Sequence, residues 1–159
     1  MAEKQQKTNA MRMLETAAIP YRVLTYEVDE ENFDGNLVAK KVGMDPEAVF
    51  KTLVLQGDKT GFLTCCVPVC EELDLKKVAR ASGNKSVQML PLKELFPLTG
   101  YVRGGCSPIG MKKAFPTYVD ETAQLCEEIA VSAGRRGEQL VLRPDDLIRA
   151  VSACYADLI

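Results

Sequence analysis

The sequence predicts an α+β fold with a mixed, mostly antiparallel sheet. β-rich runs joined by short turns alternate irregularly with segments of helical spacing, which favours this class over a doubly wound parallel sheet. The chain has 159 residues, 47% of them hydrophobic, which is enough to bury one core. We find no repeat, linker or low-complexity tract, and we expect a single domain over residues 1–159.

Caps and turn residues mark the predicted elements of the first half. The predicted helices run from a cap at Thr8 to about Ala18, over 36–42 up to Gly43, and from a cap at Asp74 to Ser82 before Gly83. The predicted strands cover 21–28, 50–55, 62–67 and 86–89. Because residues 56–61 are rich in turn formers, the second and third of these strands are expected to form a hairpin.

In the second half, one helical turn is predicted over 92–96, before Pro97. Residues 101–102 are predicted to lead as a strand into a glycine-rich loop. Further strands are expected at 117–120, 128–132, 140–142 and 154–156. Pro144 suits the first position of a helix that reaches about Val151.

The segment 99–113 contains four glycines and one proline and ends in two lysines. Such density indicates backbone conformations that side chains forbid, with amide groups open to a ligand. The amides of Gly104, Gly105 and Ser107 are candidates to hold a carbonyl or an oxyanion. The spacing fits neither a phosphate-binding loop nor a Rossmann fingerprint. The segment therefore predicts a binding loop, with an ordinary turn as the alternative.

The chain contains no histidine, which excludes Ser-His-Asp and Cys-His mechanisms. With no Cys-x-x-Cys pair either, the sequence argues against a hydrolytic zinc site. Cys106 lies in the glycine-rich loop as a candidate nucleophile, but no imidazole is present to activate it. Any reaction must therefore depend on lysine, carboxylates, backbone amides or the substrate itself.

Lys51 is the most informative charged residue. Strand alternation places it on one face with Val49, Leu53 and Leu55. A lysine among aliphatic side chains reaches solvent at the strand end, pairs with an acid, or lines a pocket whose ligand supplies the negative charge.

Charge and cysteine content limit the partners and the compartment. A formal charge of -2 argues against general coating of nucleic acid, although a small basic pocket for one nucleic-acid end remains open. The six cysteines are scattered through apolar runs and are expected to be free thiols in a reducing cytosol. We find no signal-like segment at residues 1–7 and no membrane span. We therefore expect a cytoplasmic protein.

Three segments together, 50–54, 99–110 and 131–137, are similar to the YbaK family of aminoacyl-tRNA deacylases. Residues 7–10 and 19–21 fit the same pattern, so the similarity runs in order over nearly the whole chain. Within the family, the sequence most resembles the branch that hydrolyses cysteinyl-tRNA(Pro), the product of an error by prolyl-tRNA synthetase.

The resemblance implies a free-standing trans-editing domain, partly barrel-like, without a metal or a cofactor. It places the functional lysine at Lys51 and the family's Gly-x-x-x-Pro loop at 104–108, with Gly104 as the second catalytic residue. The substrate-binding residues that it implies are Tyr26, Phe33, Thr52, Gly105, Ser107, Pro108 and Ser132. The implied partners are the 3′ acceptor end of an aminoacyl-tRNA and also prolyl-tRNA synthetase, with neither DNA nor a membrane.

The mechanism implied by the resemblance uses the thiol of the substrate. That thiol attacks its own ester carbonyl and expels the tRNA 3′ end, and water then opens the cyclic thioester. Lys51 would anchor the terminal phosphate or ribose and favour the thiolate, while amides around Gly104 position the aminoacyl group. The alternatives are a deacylase for another small aminoacyl-tRNA, such as Ala-tRNA(Pro), and a non-catalytic module that binds tRNA or a synthetase.

Overall fold

Eight strands and five helices form the part of the chain that the computed structural model describes, residues 6–159. The strands are β1 (Arg22–Thr25), β2 (Phe50–Gly57), β3 (Gly61–Pro68), β4 (Val87–Met89), β5 (Thr117–Asp120), β6 (Ile129–Ser132), β7 (Glu138–Leu142) and β8 (Cys154–Ala156). The helices are α1 (Asn9–Thr16), α2 (Gly35–Val42), α3 (Leu75–Ser82), α4 (Leu95–Thr99) and α5 (Pro144–Val151). Short 3-10 helices cover Leu92–Glu94 and Glu121–Leu125.

Two sheets contain these strands. One has the order β1-β7-β6, and the other has the order β4-β2-β3-β5-β8. The β3–β5 and β5–β8 pairs are parallel and the remaining pairs are antiparallel, which confirms the predicted mixed, mostly antiparallel class. A parallel bridge between Val49 and Ala130 connects the two sheets. The barrel-like closure is not confirmed, because the first and last strands of each sheet do not pair with each other.

The predicted helix caps are present. The Thr8 hydroxyl accepts a hydrogen bond from the Met11 amide at 3.3 Å, and Asp74 accepts from the amides of Lys76 and Lys77. These acceptors satisfy amides that have no partner inside the helix. Gly43 closes α2 in the left-handed region at φ 72°. Local chemistry therefore determines where these helices begin and end.

Other predictions need correction. Residues 101–102 form no strand, because Tyr101 instead turns its buried hydroxyl inward and donates to the Ile109 carbonyl at 2.6 Å. The helical turn predicted to stop before Pro97 continues through it to Thr99. Pro97 is the third residue of α4, where an amide hydrogen has no intrahelical acceptor, so proline costs no hydrogen bond there.

The two sheets and the helices bury three apolar clusters. The largest joins α1, through Leu14, to β6 and β7 and to Ile109 of the glycine-rich loop. A second cluster packs Val78 of α3 on Leu55 and Leu63 of the hairpin. A third surrounds Ala39 of α2. Burial on several sides fixes β2 and the glycine-rich loop relative to each other.

Two sequence predictions concern a membrane span and an N-terminal signal segment. Within residues 6–159, no helix is both long enough and apolar enough to cross a bilayer. The expectation of no signal segment rests on residues 1–7, of which 1–5 lie outside the described residues.

Gly110 lies where the glycine-rich loop contacts α1. A Cβ added there would lie 2.8 Å from the Ala10 nitrogen and 2.9 Å from the Asn9 carbonyl carbon. Gly61, in the hairpin, has the same φ of +77° but has no atom within 4 Å of an added Cβ. The two positions therefore share a backbone conformation and differ in packing.

We expect Gly110→Ala to lower the free energy of unfolding by about 3 kcal/mol, because it adds a backbone clash to the cost of a left-handed φ. Gly61→Ala is the matched control and should cost about 1 kcal/mol. Urea denaturation of both variants measures the difference. Equal losses would show that Gly110 does not hold the loop against α1.

Candidate functional site

A cavity of about 440 Å³ lies between β2, the start of α2 and the glycine-rich loop. Six of the nine residues predicted from the sequence line it: Tyr26, Phe33, Lys51, Thr52, Gly104 and Ser132. Gly105, Ser107 and Pro108 do not line it. The strands and loops that carry the six residues are far apart in sequence, so only the fold brings them together.

Lys51 is half-buried in β2 and contributes to the cavity wall. It pairs in the backbone with Val67 of β3 and is followed by Thr52, which also lines the cavity. None of the ion pairs among the described residues includes Lys51. Of the three roles that the sequence leaves open for this lysine, the geometry favours the cavity whose ligand supplies the negative charge.

Gly104 lies in a turn that faces the cavity. The Gly105 amide donates to the Val102 carbonyl at 2.9 Å, which closes a four-residue turn over 102–105. Gly104 is the third residue of this turn, with φ +84°, as a type II turn requires. Within residues 6–159, no group accepts a hydrogen bond from the Gly104 amide. That amide is therefore available to a ligand oxygen.

Phe33 lies against this turn and is held by two arginines. The Arg136 guanidinium lies 4.2 Å from the centre of its ring and that of Arg103 lies 5.6 Å away, distances at which a cation is attracted to an aromatic face. Arg136 Nε also donates to the Arg103 carbonyl at 2.8 Å. A Cβ at Gly104 would lie 2.9 Å from Phe33 Cδ1, so only glycine permits this close approach.

The other loop residues lie behind the cavity wall. An added Cβ at Gly105 would lie 3.1 Å from backbone atoms of Arg135, so this glycine allows the loop to pack on the β6–β7 turn. The buried Ser107 hydroxyl accepts from the Ile109 amide at 3.2 Å, and Pro108 is buried beside it. Three loop amides were predicted to bind a carbonyl. The Gly105 amide is already bonded to Val102, so the geometry favours the Gly104 amide.

Two polar residues of the β6–β7 pair also face the cavity. Ser132 and Gln139 are partners in the strand register. The Ser132 hydroxyl accepts from the Gly134 amide at 3.2 Å. Gln139 is only 6% exposed, and its Oε1 is the one buried side-chain polar atom in residues 6–159 without a hydrogen-bond partner. A buried carboxamide oxygen without a donor indicates a place where a ligand donates.

Sequence reasoning missed Gln139, Arg103 and an apolar wall of the cavity. The wall contains Met89, Leu90, Leu92 and Leu95. Residues 86–89 and 92–96 were predictable as a short strand and a helical turn, but nothing in the sequence pattern assigns them to a cavity. For Gln139, a polar residue inside an apolar strand run was the available signal.

Cys106 lines the same cavity but is poorly suited to be a nucleophile. Burial raises the pKa of its thiol to about 12, so the reactive thiolate is scarce near neutral pH. Cys66, behind Thr52, is similar, because burial raises the pKa of its thiol to about 12. The site therefore has cations, an available amide and an amide oxygen, with no activated protein nucleophile.

Such a cavity is suited to bind and orient a substrate that carries negative charge and supplies its own reactive group. Comparisons with known proteins agree. The model of the aminoacyl-tRNA editing domain family matches residues 34–150, and the chain belongs to this family. The similarity to aminoacyl-tRNA deacylases seen in the sequence is thereby confirmed.

Particular relatives are similar over nearly the full chain. An Enterococcus faecalis (strain ATCC 700802 / V583) protein named "Putative Cys-tRNA(Pro)/Cys-tRNA(Cys) deacylase EbsC" is 49% identical, covering 99% of this chain and 98% of its own length. A crystal structure of "a putative trans-editing enzyme for prolyl tRNA synthetase" has a TM-score of 0.80 at 26% identity, covering 97% of this chain and 98% of that one. A hypothetical protein with a TM-score of 0.85 at 20% identity covers 95% and 99% of the two chains and supports the fold alone.

The raised pKa of Cys106 predicts how stability depends on pH. The thiol ionises from pH 9 upwards in the unfolded chain but only near pH 12 when folded, so its contribution to stability is complete below pH 9 and is lost as pH rises towards 12. Between these limits, the free energy of unfolding should fall by about 1.4 kcal/mol per pH unit for this thiol. In Cys106→Ala that contribution to the slope should disappear, as measured by urea unfolding at pH 9 to 11. Identical slopes in the variant and the wild type would contradict the burial of the thiol.

Proposed function

We propose that this protein deacylates Cys-tRNA(Pro) in trans, releasing free cysteine and intact tRNA. The observation that carries the proposal is that one cavity is lined both by Lys51, which has no acid partner within residues 6–159, and by the available Gly104 amide. The 49% identical relative, which is named for deacylation of Cys-tRNA(Pro) and Cys-tRNA(Cys), supports the substrate class.

The bond changes in the reaction are few. The cysteine sulfur, after losing its proton to solvent, forms a bond to the carbonyl carbon of its own ester. The bond from that carbon to the 3′ oxygen of the terminal ribose breaks, and the oxygen takes a proton from solvent. Water then opens the cyclic thioester and restores the thiol. The protein supplies orientation and charge stabilisation in these steps.

We assign stabilisation of negative charge to Lys51. Its ammonium group, half-buried beside the aliphatic wall, favours a thiolate or a phosphate within a few ångströms because the local dielectric constant is below that of water. Thr52, next in the strand, faces the same cavity and is proposed to contact the aminoacyl group. Lys51 and Thr52 are positioned by β2, which pairs with β3 at both residues.

We assign orientation of the aminoacyl group to Gly104 and Gln139. The Gly104 amide donates to the carbonyl oxygen as negative charge develops on it, in the manner of an oxyanion hole. The Gln139 oxygen accepts from the α-ammonium of the cysteinyl group, which satisfies the one buried side-chain acceptor left unpaired in the described chain. Tyr26, Phe33 and Ser132 are proposed to complete the pocket around the same group. Gly105, Ser107 and Pro108 are proposed to act by shaping the loop, since they lie behind the wall.

The cellular setting belongs to the same proposal. The chain acts as a single domain over residues 1–159 on the 3′ acceptor end of aminoacyl-tRNA, in the cytoplasm, where translation takes place. Prolyl-tRNA synthetase is the proposed partner, because the small cavity contacts only the aminoacyl end. Selection of the tRNA is then left to a second protein.

Replacing Lys51 tests the site. We expect Lys51→Ala to slow release of cysteine from Cys-tRNA(Pro) by about 100-fold or more, because the developing negative charge loses its cation. The matched control is Lys59→Ala, which removes an exposed lysine from the turn of the same hairpin. Single-turnover deacylation and circular dichroism of both variants provide the measurement. A folded Lys51→Ala protein with wild-type activity would rule out this site.

Replacing the substrate's sulfur tests the mechanism. Serine should be released from Ser-tRNA(Pro) at least about 10-fold more slowly than cysteine from Cys-tRNA(Pro), although the two side chains are close in size. The reason is that a thiol with a pKa of ~8.5 is far more nucleophilic at neutral pH than an alcohol. Ala-tRNA(Pro), whose side chain has no nucleophile, should be slower still. Parallel deacylation of the three substrates at one pH gives the comparison. Equal rates would indicate water activated by the protein.

A further inference from the structure

An apolar strip lies on the surface beside the cavity. Met89, Leu92 and Phe96, which we call the apolar rim, are 45%, 58% and 60% exposed. Large apolar side chains that are exposed close together on a soluble protein often mark a binding site. The rim is therefore a candidate binding surface.

The rim is continuous with the cavity wall. Met89 and Leu92 line the cavity itself, together with the less exposed Leu90 and Leu95. Leu92 and Phe96 are four residues apart along the 3-10 helix and α4, which places them as neighbours on one side. A ligand that leaves the cavity over this wall meets Leu92 and Phe96 next.

Cations accompany the rim. Lys93 follows Leu92 in the 3-10 helix, and the exposed Arg103 lines the cavity. The backbone amide of Lys112 donates to the Thr99 carbonyl at 2.9 Å, which places Lys112 at the end of α4. The acidic groups on these elements are Glu94, next to Lys93, and Asp34, whose carboxylate caps α2 at the cavity. Among these residues, three cations, Lys93, Arg103 and Lys112, outnumber the two carboxylates.

A second cavity of about 560 Å³ provides the contrast. Its walls include five carboxylates, those of Asp45, Glu47, Glu71, Glu127 and Glu128, against one arginine, Arg22, which is paired with Glu128. Leu125 lies on its edge and is 87% exposed. A phosphate backbone is repelled by this acidic cavity and attracted to the cations around the rim.

We propose that the apolar rim is a stacking platform for the unpaired bases at the 3′ end of the aminoacyl-tRNA. This inference rests on the proposed function and extends it from the aminoacyl group to the nucleotides that carry it. Bases stack on aromatic and apolar side chains without regard to sequence, while nearby lysines and arginines follow the phosphates. Phe96 and Leu92 provide the exposed apolar surface for stacking, and Lys93 beside them provides a cation for a phosphate.

Fluorescence of a modified RNA tests the platform directly. The probe is an acceptor-stem RNA hairpin with 2-aminopurine in place of its 3′-terminal adenosine, a base whose fluorescence falls on stacking. Wild-type protein should quench the probe. Phe96→Ala should lose most of that quenching at saturating protein, and Phe96→Tyr should restore it. Leu125→Ala, which removes an exposed leucine beside the acidic cavity, is the matched control and should quench as the wild type does.

Kinetics give an independent readout. Phe96→Ala should raise KM for Cys-tRNA(Pro) about 5-fold or more, with kcat changed less, because stacking positions the tRNA and takes no part in bond breaking. The fluorescence assay uses uncharged RNA, so it reports on the rim even if deacylation is absent. Equal quenching and equal KM in Phe96→Ala and Leu125→Ala would overturn the platform and leave the proposed function intact. Sedimentation showing a dimer that Phe96→Ala dissociates, with RNA quenching unchanged, would also overturn it.

Discussion

Close backbone contact at the glycine-rich loop is the constraint on which the site depends. At Gly104 the backbone meets the Phe33 ring, at Gly105 it meets the β6–β7 turn, and at Gly110 it meets the start of α1. At each point a Cβ would lie 3.1 Å or less from a neighbouring atom. These contacts place one available amide in the same cavity as Lys51, which belongs to a different element. In the proposed mechanism, backbone geometry supplies the charge stabilisation that a catalytic side chain often supplies.

The proposed mechanism is compatible with a chain that contains no histidine. A substrate that carries a thiol needs orientation and a nearby positive charge more than it needs a base, since its own pKa is already close to neutral. A protein thiol with a pKa raised by burial, such as that of Cys106, does not compete with it. The three proposals are consistent with one another: the substrate supplies the nucleophile, the cavity binds the aminoacyl group, and the apolar rim binds the RNA end.

Sequence reasoning succeeded where local chemistry determines the structure and failed where packing does. The caps at Thr8 and Asp74 and the hairpin were predictable because side chains within a few residues decide them. Tyr101 was predicted to lie in a strand, and it lies in a loop because its hydroxyl bonds to Ile109. Six of the nine predicted site residues share the cavity, whereas Gln139 and the apolar wall depend on contacts between distant segments that no local pattern shows.

The central claim is that Lys51 and the Gly104 amide hold one substrate whose sulfur attacks its own carbonyl. A crystal structure with a stable amide-linked cysteinyl-adenosine tests it most directly. The claim predicts the carbonyl oxygen within hydrogen-bond distance of the Gly104 amide, Lys51 Nζ beside the thiol or the ribose, and sulfur about 3.5 Å or less from the carbonyl carbon. A cysteinyl group bound away from both residues, or a sulfur that points away from the carbonyl with a water in its place, would contradict it.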